Sequence, residues 1–197
     1  MDESEGRVAA VVLAAGTSSR MGRNKLFLQL GGTSILRRAV ATALEADLDP
    51  VVVVLGHESD RARAELAESP CTTVLNPDYA RGMNTSVGAG IAAVPSDAAG
   101  AVLMLADMPL VDARMLRALV ERHRGSCASL VVSTYGDVVA PPILYGRALF
   151  PELCALDPEG CGKRVINKHR EHAVELSWPV SALSDLDVPE DLERVRA

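Results

Sequence analysis

Residues 8–25 read Val8-Ala9-Ala10-Val11-Val12-Leu13-Ala14-Ala15-Gly16-Thr17-Ser18-Ser19-Arg20-Met21-Gly22-Arg23-Asn24-Lys25. The run from Val8 to Leu13 is apolar, uncharged and rich in valine, as expected of a parallel strand buried on both faces. The loop that follows therefore opens at a strand's carboxyl end. In open α/β sheets ligands sit outside those ends, where loop N–H groups meet anionic oxygens without competing sheet bonds. Gly16 and Gly22 allow close backbone approach, and Arg20, Arg23 and Lys25 supply positive charge. Such a loop is suited to gripping a polyanion such as a nucleoside triphosphate. It is not a Walker A motif, because no Gly-Lys-Ser/Thr follows a glycine after a four-residue gap. A basic strand-to-helix turn is the plainer reading of the same composition.

Outward from this stretch, strands and helices alternate. Thr33 or Ser34 caps a helix running to about residue 46, with Ile35, Leu36, Ala39, Val40, Ala43 and Leu44 at helical spacing. Residues 51–55 form an uninterrupted buried strand, followed by a charged helix over 58–68. Val74-Leu75 makes a short strand before the Asn76-Pro77-Asp78 turn. A loop over 82–86 runs into an apolar helix over 87–94, a buried strand spans 101–105, and a helix covers 112–124. Residues 129–133 and the run near Ile143 supply two more strands. This alternation predicts a Rossmann-like, doubly wound, mostly parallel sheet with helices on both faces.

The chain has 197 residues, 48% of them hydrophobic, which is enough for one good core; a single domain over 1–197 is expected, with 1–7 flexible. Aromatic residues make up only 3%, so the core must be built mostly from Val, Leu and Ala, as suits a helix-covered sheet. A net charge of −6, with no aromatics interleaved among basic patches, argues against a nucleic-acid surface, so an anionic substrate must be attracted locally. No apolar stretch is long enough to span a bilayer, and no hydrophobic segment follows the polar start Met1-Asp2-Glu3-Ser4-Glu5. No membrane association and a cytoplasmic address are expected. Cys71, Cys127, Cys154 and Cys161 lack C-x-x-C spacing and read as free thiols, while His169 and His172 read as solvated helix surface rather than zinc ligands.

Three further segments carry chemistry. Ala106-Asp107-Met108-Pro109 places a carboxylate at the end of the 101–105 strand, beside the cationic loop. Mg²⁺ takes oxygen ligands and usually only one or two protein carboxylates, so Asp107 suits a metal ligand. The plainer alternative is a helix cap, a role for which Asp112 is also available. Gly82-Met83-Asn84-Thr85-Ser86 precedes a helix whose unpaired N–H groups, with those short polar side chains, make a second anion- or base-binding edge. The spacing Gly88-Ala89-Gly90 mimics a dinucleotide fingerprint but falls inside the expected helix, the wrong context for one. Asp185-Leu186-Asp187-Val188-Pro189-Glu190-Asp191-Leu192 reads locally as a helix start, with acids facing the positive end of the dipole.

Leu13-Ala14-Ala15-Gly16-x-Ser18-x-Arg20-Met21-Gly22-x-x-Lys25 resembles the signature of the MobA-like nucleotidyltransferases, and within them the molybdenum-cofactor cytidylyltransferases. The resemblance extends from Val8 to about Arg194. It implies a nucleotide-diphospho-sugar-transferase-like domain that binds an NTP and Mg²⁺ (or Mn²⁺) at the sheet's carboxyl edge. Leu13, Ala14, Ala15, Gly16, Ser18, Arg20 and Lys25 would hold the nucleotide, joined by Asn84 and Ser86 from a Gly-Met-x-x-Ser loop. Asp107 would hold the metal, with help from Asp187 in an Asp-x-Pro-Glu-Asp-Leu segment. The Ala-Ala-Gly form is similar to cytidylyl members and leans towards CTP; guanylyl relatives tend to carry Ala-Gly-Gly. The segment containing Pro142 resembles the part that faces the acceptor. Where cytidylyl relatives carry a Gly-Asp-x-Gly-Ala-Arg-like sequence, this chain has Asp157-Pro158-Glu159-Gly160-Cys161-Gly162-Lys163-Arg164. Gly160, Gly162, Lys163 and Arg164 remain candidates for a terminal phosphate of the acceptor, an exposed basic helix start being the plainer reading, and the altered centre leaves the acceptor's identity open.

The implied reaction needs no side-chain nucleophile. A phosphate oxygen of a pterin-phosphate acceptor, molybdopterin cofactor, attacks the α-phosphorus of CTP in line and pyrophosphate leaves, with Arg20, Lys25 and Asp107 as the catalytic set. A phosphomonoester is already largely anionic near neutral pH, so no histidine base is required. A molybdenum hydroxylase is the implied recipient of the product. Other readings stay open: guanylyl transfer, cytidylyl transfer to a sugar or polyol phosphate, an oxidoreductase, for which the sequence offers no credible nicotinamide site, and a non-catalytic molybdenum-cofactor chaperone.

Overall fold

Strand β1 (Val8–Ala14) is buried at every position because strands flank it on both sides and helices cover both faces. The computed structural model describes residues 6–17, 24–126 and 128–183. The remaining elements are β2 (Gln29–Leu30), β3 (Thr33–Ser34), α1 (Ile35–Glu45), β4 (Val51–Leu55), α2 (Ser59–Glu65), β5 (Thr72–Leu75), α3 (Met83–Ala92), β6 (Gly100–Leu105), α4 (Ala113–Ser126), β7 (Leu130–Tyr135), β8 (Val138–Gly146), α5 (Phe150–Cys154), α6 (Arg164–His169) and β9 (Val174–Trp178). Seven strands form one sheet in the order β5-β4-β1-β6-β8-β7-β9, and β2 pairs with β3 in a small separate hairpin.

The sheet is mostly parallel, as the alternation predicts; within it β8 alone runs against its neighbours. The reason lies in the connection. Tyr135 pairs with Val138, so only Gly136 and Asp137 join β7 to β8, and so short a turn permits only antiparallel pairing. Between the pairs Val132↔Ile143 and Ser133↔Ala140 the register shifts, leaving Pro141 and Pro142 outside the ladder. Proline, lacking an N–H, is tolerated at such an irregularity.

Alternating strand residues feed two cores. Ala10, Val12, Val53, Val102 and Met104 pack with Leu36 and Val40 of α1 and Leu116 and Leu119 of α4. Ala9, Val11, Leu13, Val54 and Leu103 pack with Val87 and Ile91 of α3, Leu153 of α5, and Val165 and Ile166 of α6. Each fully buried leucine in these layers contributes about 1.5–3 kcal/mol of transfer free energy. Ser34 caps α1 by accepting from Arg37 N at 3.2 Å. Gly90 lets α3 approach the sheet closely, since a Cβ there would lie 2.4 Å from Val11 Cγ1. The Gly88-x-Gly90 spacing is therefore helix-on-sheet packing.

Helices α3 and α2 and strand β9 depart from the sequence reading. Helix α3 begins at Met83 rather than at residue 87, so Asn84, Thr85 and Ser86 belong to its first turn. Helix α2 ends at Glu65, ahead of a turn. Strand β9 was not expected: among the described residues it pairs on one side only, and its five residues mix Val174, Leu176 and Trp178 with the exposed Glu175 and Ser177. Among the described residues no helix is long and apolar enough to cross a membrane.

Candidate active site

The carboxyl ends of β1 and β6 are tied together where Ala106 N donates to Leu13 O at 3.1 Å. That bond brings the first residues after each strand side by side. A cavity of about 200 Å³ opens there, with Leu13, Ala14, Ala15 and Gly16 from one strand end and Leu105 and Asp107 from the other. Small-molecule pockets usually run from about 300 Å³ upward, so a cavity of this size could hold only part of a nucleotide-sized ligand.

Lys25 enters the same cavity from a short 3₁₀ turn, Lys25–Phe27, that Asn24 caps by accepting from Leu26 N at 3.1 Å. The Lys25 ammonium forms an ion pair with the Asp107 carboxylate, the two side chains being 14% and 20% exposed. The cation from the amino-terminal segment and the acid after β6 thus converge on one cleft. Asp107 is not a helix cap. Asp112 has that role, its Oδ1 accepting from Met115 N at 3.0 Å and its Oδ2 from Arg114 at 2.7 and 3.0 Å. Burial pushes the Asp112 carboxyl upward, but the Arg114 guanidinium and the Met115 N–H outweigh it and hold it below its ordinary value.

The far wall comes from α3 and the segment before it. Met83, Ser86 and Tyr79 line the cavity. Ser86 is 4% exposed, and its Oγ accepts from Asn76 Nδ2 at 2.9 Å. The same Asn76 amide donates to Thr85 Oγ1 at 2.8 Å, and its Oδ1 accepts from Asp78 N at 3.0 Å. Asn76 thereby fixes two hydroxyls of α3 and the turn leading to Tyr79. The Tyr79 ring sits over Gly56, where a Cβ would lie 2.6 Å from the ring and 2.8 Å from Ala15 O. Tyr79 was not anticipated, and Met83 only as a member of the 82–86 stretch. An aromatic beside Asn76-Pro77-Asp78 reads as turn surface, and the seat at Gly56 has no local signal.

Asn84 faces away from this cavity: its amide donates to Asp157 O at 2.6 Å and to Gly160 O at 3.1 Å. Gly160 and Gly162 lie in the loop that Asn84 holds, and Arg164 opens α6. Pro142 is buried, with its carbonyl accepting from Ser133 Oγ at 2.6 Å. Ser18, Arg20 and Asp187 lie outside the described residues.

As a metal holder the cleft offers Asp107. Among the described residues there is no cluster of three or more Asp, Glu, His or Cys side chains that could hold a metal ion. A single carboxylate at the carboxyl end of a parallel strand suits a hard cation that takes its remaining ligands from phosphate oxygens and water, the usual habit of Mg²⁺.

The family described as MobA-like NTP transferase domain matches residues 10–174. The purine catabolism protein PucB of Bacillus subtilis is 32% identical over 198 residues, covering 94% of each chain. The bifunctional protein GlmU of Leifsonia xyli is 35% identical over 159 residues, covering 78% of this chain; the match spans only 32% of that relative's length. Among solved structures, Rv0371c from Mycobacterium tuberculosis superposes with a TM-score of 0.85 at 30% identity, covering 96% of this chain and 98% of its own. Rv0371c in complex with manganese superposes at 0.79 with 28% identity, covering 96% and 97%.

Proposed function

The chain belongs to the MobA-like NTP transferase domain family, and from that premise we propose that it transfers CMP from CTP to the terminal phosphate of molybdopterin cofactor, with release of pyrophosphate. The observation that carries the reading is the ion pair of Lys25 and Asp107 at the mouth of a cleft floored by Leu13, Ala14, Ala15 and Gly16. A phosphate-binding cation and a metal-suited carboxylate, prepositioned at the carboxyl edge of a parallel sheet, are what phosphoryl-group transfer requires of a protein. The Ala14-Ala15-Gly16 form supports CTP as donor.

In this mechanism backbone N–H groups after β1 and the Lys25 ammonium hold the triphosphate, while Tyr79, Met83 and Ser86 bound the nucleoside side of the cleft. An acceptor phosphate oxygen forms a bond to the α-phosphorus. The bond from that phosphorus to the bridging oxygen breaks, and pyrophosphate departs with the electron pair. Lys25, with Arg20 in the same loop, neutralises charge growing on the leaving group. Asp107, with Asp187, would hold Mg²⁺ or Mn²⁺, which when bound supplies Lewis-acid neutralisation of phosphate charge. The whole chain acts as a single nucleotidyltransferase domain, and a molybdenum hydroxylase receives its product.

The deciding experiment incubates the protein with Mg²⁺, each NTP in turn and molybdopterin cofactor, and looks for a dinucleotide product by mass spectrometry. A cytosine dinucleotide is expected. A guanine product, or turnover only with a sugar or polyol phosphate in place of the pterin, would reassign donor or acceptor. Cofactor binding without pyrophosphate release would point to a chaperone and overturn the reading.

A further inference from the structure

The segment between α5 and α6 is anchored to the first turn of α3 by one buried side chain. Asn84 is 5% exposed, and its amide spans to Asp157 O at 2.6 Å and Gly160 O at 3.1 Å. An asparagine amide has two hydrogens, and both are spent on these carbonyls, so none remains for a nucleotide. The approach is close on either side. Gly82 has φ +135°, and a Cβ there would lie 2.2 Å from Pro158 O, so neither the conformation nor the space admits a side chain. A Cβ on Gly162 would stand 3.3 Å from Asn84 Oδ1. The loop also closes on itself, with Gly160 N donating to Asp157 O at 3.0 Å and Glu159 N to Asp157 Oδ1 at 3.1 Å. Its far end continues into α6, which Val165 and Ile166 root in the core.

Met83 and Ser86, in the same turn of α3, face the cleft. A single helical turn therefore touches the nucleotide side of the site with two residues and the 157–162 loop with a third.

We propose that Asn84 is a positioning residue that holds the 157–162 loop in register with the cleft, so that Gly160, Gly162 and Arg164 receive the phosphate-bearing acceptor. Asn84 makes no contact with the donor nucleotide. Its kinetic consequence rests on the nucleotidyl-transfer reading, whereas the anchoring of the loop stands on the geometry alone.

The test compares the parent protein with Asn84→Ala and with Asn84→Ser, whose short hydroxyl cannot reach both carbonyls; the second variant carries the same readings should the first fail to fold. Amide hydrogen exchange within 157–162 should accelerate about tenfold or more in either variant. The Kd for CTP, from titration with Mg²⁺, should stay within about twofold. The kcat/KM for molybdopterin cofactor should fall about tenfold or more, through a raised acceptor KM. Unchanged exchange across 157–162 overturns the proposal, as does a loss of CTP affinity as large as the loss of kcat/KM. If the parent protein transfers no nucleotide at all, the proposed reaction fails, and the exchange measurement still decides whether Asn84 holds the loop.

Discussion

The Lys25 ammonium and the Asp107 carboxylate, both largely shielded from water, are paired with each other across the cleft. In the proposed reaction the ammonium would meet a polyanion and the carboxylate a divalent metal, so the pair holds both groups in place until substrate and metal arrive. Partial burial makes the pair stronger than a surface ion pair, because less solvent screens it. On that reading, a nucleotide arriving with its metal would exchange one internal pairing for two external ones.

Removing the cation should be costly to turnover. Lys25→Ala is expected to lower the rate of pyrophosphate release by about 10²-fold or more, the usual consequence of losing one preorganised charge donor. Near-parental turnover would mean that the cleft does not hold the departing phosphates through Lys25.

The same pair predicts opposite effects of two substitutions on metal binding without nucleotide. Asp107→Asn should weaken Mn²⁺ binding, followed by electron paramagnetic resonance, because an amide is a poor ligand for a hard cation. Lys25→Met should strengthen it, since the ammonium paired with the carboxylate no longer competes with the metal. Equal Mn²⁺ affinity in parent, Asp107→Asn and Lys25→Met would place the metal elsewhere.

Much of this arrangement is written locally. β1, β4 and β6 are continuous apolar runs because both of their faces are covered, and such runs stand out against any polar background. Asp107 is legible for a related reason: it is the first charge after one of those runs. What escapes the sequence depends on distant partners. Asn84 looks like a polar donor at a helix start, yet its partners are backbone carbonyls 73 and 76 positions away, which no spacing rule encodes. Tyr79 lines the cleft only because Gly56, on another strand's end, leaves room for its ring. The antiparallel course of β8 follows from the two-residue link at Gly136-Asp137, a signal present in the sequence but easily passed over beside Pro141-Pro142.

Asn76 should matter for stability and for binding together. It is 3% exposed and makes three hydrogen bonds, to Thr85, Ser86 and Asp78. Asn76→Ala is expected to cost about 2–3 kcal/mol in urea unfolding, because buried partners lose their bonds. It should also weaken NTP binding by releasing the Ser86 hydroxyl at the cleft wall. Loss of stability with no change in NTP affinity would show that Ser86 orientation is irrelevant to the nucleotide.

Asp112 gives an acid-dependent contribution whose sign can be worked out. Burial raises its carboxyl, but the bond from the Arg114 guanidinium and that from Met115 N prevail, so the folded-state pKa lies below the unfolded one. The folded chain therefore holds the ionised form more tightly than the unfolded chain, and the resulting stability is fully present above the ordinary carboxylate range. It is lost as pH falls through the folded-state value. Asp112→Asn keeps an oxygen for Met115 N, retaining the cap, while it removes the charge that faces Arg114 and the positive end of α4. The gap in unfolding free energy between parent and Asp112→Asn should be largest near neutral pH, above the ordinary carboxylate range, and shrink as pH falls through the folded-state value and the Asp112 side chain takes up its proton. Because Asp112 is 42% exposed and Arg114 88%, solvent screening keeps the gap small, and added salt should narrow it further. Urea titrations at both ends of that range check the claim; a gap of equal size at all pH values would mean that the cap geometry, and not the charge, is what Asp112 contributes.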